Sequence, residues 1–125
     1  AGDEPLLLVA AGIGITPFVS QLRSEPDRDA VLLYVVSSVT ELAYADEIAA
    51  TGARVIVVAR DASADSVPAG WETITERLTA ASLPSLVGDL GSRHAMISGP
   101  PRLIADLAPA LSDARSVRTD AFAGY

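Results

Sequence analysis

One junction near the start of this chain limits what it can fold into. Leu6 to Ala10 is an unbroken apolar run, the pattern of a strand covered on both faces, as in the middle of a parallel sheet. The run ends at Gly12, and Thr16-Pro17 follows. A hydroxyl there suits an N-cap, and proline is favoured at the first helical position, so a helix is expected from about Pro17 to Arg23. Strand, glycine turn and helix make one unit, and such a strand needs parallel neighbours.

The pattern repeats down the chain. Val31 to Val36 is a second buried-strand run, and Ser38 with Glu41 has capping-box spacing for a helix that Gly52 would close. Leu42, Ala45, Ile48 and Ala49 share one face of that helix. Arg54 to Ala59 is a third strand, and Asp61 to Trp71, rich in Ala, Ser, Asp, Pro and Gly, reads as an exposed loop anchored by Trp71. Thr79 to Val87 is weakly helical and interrupted by Pro84. His94 to Ile97 is a fourth strand. Pro100-Pro101 opens a helix in which Leu103, Ile104, Leu107, Ala108 and Leu111 keep the helical period, with a kink expected at Pro109. Ser116 to Thr119 is a short fifth strand before an aromatic tail, Phe122 to Tyr125.

Alternating strands and helices imply an α/β domain: a doubly wound, five-stranded parallel sheet in three layers, with right-handed crossovers. Ligands bind such sheets at the carboxyl ends of the strands, where strand order reverses. The loops leaving those ends are Gly12 to Thr16, Ala59 to Asp61, and Ser98 to Pro101.

Composition narrows the function. The chain has 125 residues, half of them apolar, which suits a single domain over 1–125 with an ordinary core. No apolar stretch approaches the roughly 18 residues of a membrane span. No basic and apolar leader opens the chain and it has no cysteine, so a cytoplasmic protein is expected. Net charge is −7 and every basic side chain is arginine, which argues against nonspecific attraction to nucleic acid or anionic lipid. His94, the single histidine, has no second histidine to share a metal and no evident catalytic partner.

Gly12 and Gly14 let a ligand come close to the backbone, and the helix that follows aims free N–H groups at whatever occupies the turn. A pyrophosphate suits that place, although a tight turn with no ligand has the same sequence. The ordinary dinucleotide fingerprint fails on two counts: Pro17 stands at its third glycine, and Ser37 and Ser38 stand where an acidic residue is expected.

The segment Ala10-Ala11-Gly12-Ile13-Gly14-Ile15-Thr16-Pro17-Phe18 instead resembles the Gly-x-Gly-x-Thr-Pro turn of the ferredoxin-NADP reductase family. The resemblance continues in order. Leu32 to Ser37 and Glu41 to Ile48 are similar to the family's second strand and its helix, Ser98-Gly99-Pro100-Pro101 to its Cys-Gly-Pro-Pro motif, and Asp120 to Tyr125 to its aromatic C-terminus.

That resemblance implies strand order 3-2-1-4-5 and a domain that binds NADP or NAD, working with FAD on a β-barrel domain absent from this chain. An iron–sulfur protein or other electron carrier would be a further partner, and the chain alone is not expected to turn over. Gly12, Gly14 and Thr16 would hold the pyrophosphate, with Ile13, Pro17, Ser37, Ser38 and Pro101 as further cofactor-binding candidates. Gly99 and Pro100 would shape the wall against the nicotinamide. Ser98, in place of the usual cysteine, and Tyr125, placed to lie on the flavin, are the candidates for contact with the reacting rings. Arg60 would grip the adenosine 2′-phosphate, with Ala59 in place of a serine and Asp61 adding repulsion. The other reading left open is a nucleotide-sensing or regulatory module without redox activity.

Overall fold

The computed structural model describes residues 4–121. Its strands are β1 (Leu6–Ala11), β2 (Ala30–Val35), β3 (Arg54–Val58), β4 (Glu72–Ile74), β5 (His94–Gly99) and β6 (Ser116–Ala121). Its α-helices are α1 (Thr16–Ser24), α2 (Ala45–Ala49), α3 (Leu83–Val87) and α4 (Pro101–Leu111). All strand pairs are parallel, in the order β4-β3-β2-β1-β5-β6. The expected order stands, with one strand added at an edge: the sheet has six strands rather than five.

The six residues of β1 are all buried because each face of the sheet carries a core. Leu6, Leu8 and Ala10 point to the side holding Phe18, Val19 and Leu22 of α1 and Ile48 of α2. Leu7 and Val9 point to the side holding Leu83 and Val87 of α3 and Leu107 and Leu111 of α4. Successive side chains of a strand alternate faces, so a continuous apolar run is what a central strand between two helix layers requires.

Three local expectations are corrected. The added strand, β4, is short and holds Glu72, so its sequence carries no apolar run; it is fastened instead by a two-pronged ion pair. Arg54 Nε donates to Glu72 Oε2 at 2.6 Å and Nη2 to Oε1 at 2.9 Å, and this bond holds the Glu72 carboxyl below its ordinary pKa. The helix expected from Ser38 to Gly52 is broken into a 3-10 turn, Val39–Glu41, and the short α2. The cause is Tyr34, whose buried phenol accepts from Ala43 N at 2.9 Å and donates to Ala43 O at 3.3 Å. Both backbone groups of Ala43 are thereby taken from any helix, and Tyr44 turns left-handed at φ 60°. Pro84 does not interrupt α3; it sits in the first turn, where a missing N–H costs nothing. In α4, Pro109 lies in the last turn and the helix continues to Leu111.

The amino-terminal rim of the sheet is locked by Arg93, whose side chain is 8% exposed. Its Nη1 donates to Leu6 O at 2.9 Å and its Nε to Asp89 Oδ1 at 2.7 Å, while Nη2 lies 2.9 Å from Asp29 Oδ1. One guanidinium thus joins β1, the residue before β2, and the lead into β5. His94, beside it, sets Nδ1 2.7 Å from Ser116 Oγ and opens β5.

The bond from Arg93 holds the Asp89 carboxyl below its ordinary pKa. The unfolded chain therefore binds this proton more readily, so the pair's stabilisation is complete above the ordinary carboxylate pKa and is lost as pH falls through the lowered one. Urea unfolding across that acid range should show it. The Arg93→Met variant is expected to lose about 1–3 kcal/mol at neutral pH, below the cost of breaking a sealed pair because both aspartates reach water. It should also show a flatter acid dependence; an unchanged slope in that variant would remove Asp89 as the cause.

Candidate functional site

The turn after β1 is built differently from a capped helix start. Gly12–Ile15 forms a 3-10 turn that runs straight into α1, with Gly12 at φ 54°. Thr16 is the first residue of α1 and not its N-cap; the preceding position belongs to Ile15, which is helical and offers no side-chain cap. The Thr16 hydroxyl donates to Ile13 O at 3.1 Å.

The two glycines have separate tasks. Gly14 is buried, and a Cβ on it would stand 2.4 Å from Ser98 O and 3.0 Å from Ser98 Oγ. Its bareness lets the turn press against the end of β5. Gly12 faces outward and lines a cavity of about 490 Å³ with Ala11, Val36, Ser37, Glu41, Pro100 and Leu103. A second cavity of about 700 Å³ shares Val35, Val36, Ser37, Pro100 and Leu103, and extends past Val58, Ala59 and Arg60 to Thr75 and Leu78. The two are lobes of one groove along the carboxyl ends of β1, β2 and β3.

The site residues expected from the sequence therefore divide. Gly12, Ser37, Arg60 and Pro100 line the groove. Gly14 lies behind its wall, and Gly99, also buried, packs so closely that a Cβ would meet Ala11 Cβ at 3.1 Å. Ile13 is 67% exposed. Thr16 opens toward the far side of α1, in a hollow with Ser20, Arg23 and Tyr44; Pro17 and Pro101 are exposed in the first turns of α1 and α4. Ser98 is 2% exposed and lines neither lobe; its hydroxyl makes a long bond, 3.5 Å, to Asp120 Oδ2. Tyr125 lies outside the described residues.

Ser38 and Asp61 form a stitch between the loops that follow β2 and β3. Ser38 Oγ donates to Asp61 Oδ2 at 2.7 Å, and Val39 N donates to Oδ1 at 3.0 Å. These bonds, the Ser38 one foremost, hold the Asp61 carboxyl below its ordinary pKa. The carboxylate is thereby engaged outside both lobes, whereas its neighbour Arg60 lines the larger one.

Sequence reading missed Glu41, Arg77, Arg102 and Leu103. Glu41, a capping residue by its spacing, lines the near lobe and accepts from Ser37 N at 3.3 Å. An acidic group does stand beyond the second strand, a few residues later than the usual fingerprint places it. Arg102 and Leu103 sit directly after the Pro-Pro pair, and that adjacency was the available signal.

A groove crossing the place where β1 has β2 on one side and β5 on the other is the nucleotide-binding position of an open parallel sheet. The family model of the oxidoreductase NAD-binding domain matches residues 8–108. The chain belongs to that family. The resemblance to ferredoxin-NADP reductases is borne out in family and in fold. This NAD-binding domain is similar in structure to the Amycolatopsis cytochrome P450 reductase GcoB, at 20% identity and a TM-score of 0.68, covering 95% of this chain and 38% of that one. It is similar also to the flavohem-like FAD/NAD binding domain of nitric oxide dioxygenase from Vibrio cholerae, at 23% identity and a TM-score of 0.66, covering 95% of this chain and 51% of that one. The chain thus spans about half or less of each of these structures. No curated protein sequence matches it. No helix among the described residues is long and apolar enough to cross a membrane.

The two glycines should separate under substitution. Gly14→Ala pushes a methyl against backbone atoms of β5, and a cost of about 1–3 kcal/mol is expected from overpacking. Gly12→Ala carries the left-handed penalty, about 1 kcal/mol. Denaturant unfolding of both checks the order; a Gly14 variant as stable as wild type would show that the turn is not pressed against Ser98.

Proposed function

We propose that this domain seats NADH or NADPH so that the nicotinamide meets a flavin carried by an adjoining domain, in an oxidoreductase that moves electrons onward to a further carrier. The observation that carries the reading is the continuous two-lobed groove, which opens at Gly12 and crosses the switch point of the sheet. The family membership of residues 8–108 supports the nucleotide. The flavin reading is supported by the similar Vibrio cholerae domain, an FAD/NAD binding domain in a longer chain.

Each part of the chain then has a task. Gly12 lets the diphosphate approach the backbone where the 3-10 turn enters α1, and the start of that helix favours negative charge. Val35, Val36 and Leu103 give the nucleoside an apolar floor. Glu41, on the near lobe, is placed to accept from sugar hydroxyls. Pro100 closes the groove toward β5, at the end of which Ser98 supports the turn from beneath. A bound flavin on an adjoining domain would supply two-electron acceptance. Tyr125 remains the residue proposed to stand nearest the reacting rings, with Ser98 behind the wall that faces them, and Arg60 the one nearest an adenosine 2′-phosphate.

Titration of the isotopically labelled chain with NADH and with NADPH, followed by backbone amide NMR, tests this. Saturable shifts are expected at Gly12, Ser37, Glu41 and Leu103, with the rim around Arg93 unmoved. Binding is expected to be weak, because the flavin half contributes to the nicotinamide pocket. Absence of any shift at millimolar ligand, or shifts confined to the amino-terminal rim, would overturn the assignment.

A further inference from the structure

We infer that Arg102 is a second specificity-determining residue, which with Arg60 makes the far lobe a receptor for a phosphomonoester, so that this domain selects NADPH over NADH. The inference rests on the nucleotide reading above and deepens it.

Charge and placement together single the lobe out. The chain has nine basic residues, all arginines, against sixteen carboxylates. Arg28, Arg54, Arg77 and Arg93 are paired with carboxylates. Arg23, Arg60, Arg102, Arg115 and Arg118 have no ion pair among the described residues, and of these five only Arg60 and Arg102 line the far lobe. Both line the far lobe, Arg60 from the loop after β3 and Arg102 from the first turn of α4. The carboxylates close to them in sequence are occupied. Asp106, one turn along α4 from Arg102, takes its bond from Arg77 at 2.7 Å. Asp61, next to Arg60, is held by Ser38 and Val39. Glu76 is the lobe's one carboxylate without an arginine among the described residues. Two unengaged guanidiniums thus share with one unengaged carboxylate a cavity whose other charged groups, Arg77 and Asp106, pair with each other and whose floor includes Val35, Val58 and Leu78.

An apolar cavity with two planar, forked cations suits a flat nucleoside that carries an extra phosphate. Arg102 gains further from its position in the first turn of α4, where the helix dipole favours an anion. A plain ribose would leave both guanidiniums without a partner, so the preference comes from the phosphate and not from the base.

Calorimetry on the intact chain, with NADPH, NADH, 2′,5′-ADP and 5′-ADP as probes, tests this. Wild type is expected to bind NADPH about tenfold or more tighter than NADH, and 2′,5′-ADP tighter than 5′-ADP by a similar factor, as one good charge-assisted contact provides. Arg102→Gln, an exposed substitution, should cut NADPH affinity about fivefold or more while leaving NADH within about twofold. Arg60→Gln should do the same. Equal affinity of wild type for the two nucleotides, or an Arg102→Gln variant with an unchanged NADPH to NADH ratio, overturns this inference alone. Failure of both nucleotides to bind overturns the nucleotide reading and this inference with it.

Discussion

The structure depends on one close approach: the turn after β1 lies against the end of β5 with no room for a Cβ at Gly14. A backbone carbonyl of a strand cannot move aside as a flexible side chain can. The glycine is therefore a packing requirement before it is a ligand requirement. Once the turn is seated there, Gly12 is left at the surface with a left-handed φ, α1 starts without a conventional cap, and Pro100 of the next crossover stands opposite. The groove is the space that remains between these parts.

The two ends of the sheet are fastened by different means, and this difference makes one of them available for binding. At the amino-terminal rim a nearly buried guanidinium gathers a carbonyl of β1 and two aspartates, filling the space between strands with charge that is already paired. At the carboxyl rim the fastening is steric and peripheral. Gly14 and Gly99 pack against backbone and a methyl, and Asp61 ties together the loops after β2 and β3 from outside the groove. The ends of β1, β2 and β3 are left open to a ligand.

Much of this was legible in the sequence, for physical reasons. Central strands of a parallel sheet must be apolar on both faces, so β1, β2, β3 and β5 announced themselves as runs. Edge strands have no such obligation: β4 holds Glu72, and β6 is exposed along its length. β4 therefore has no strand pattern in its sequence, and the pattern of β6 ends two residues before the strand does. The broken helix after β2 was hidden because its cause is Tyr34, nine residues before Ala43 and on another element. The glycine motif identified the right turn but not the division of labour within it, since a residue that touches ligand and one that touches strand look alike when both lack a side chain. Ser98 showed the same limit: its motif marked the end of β5 correctly, but only the fold reveals that the side chain is sealed beneath the turn.

The chain's overall charge sharpens the meaning of its local charges. A domain with net charge −7 repels a polyanionic nucleotide at long range, and salt screens that repulsion beyond roughly 8–10 Å. What a phosphate meets inside a groove is then decided by the groups within that distance, which is why a few arginines on one lobe can outweigh a surplus of carboxylates spread over the surface. Those arginines are useful only if nearby acids do not neutralise them. Arg77 engages Asp106, and Ser38 and Val39 engage Asp61. The bonds that hold these two aspartates thus shape the electrostatics of the groove as much as the arginines that line it, and the fold achieves this with residues that need never touch the ligand.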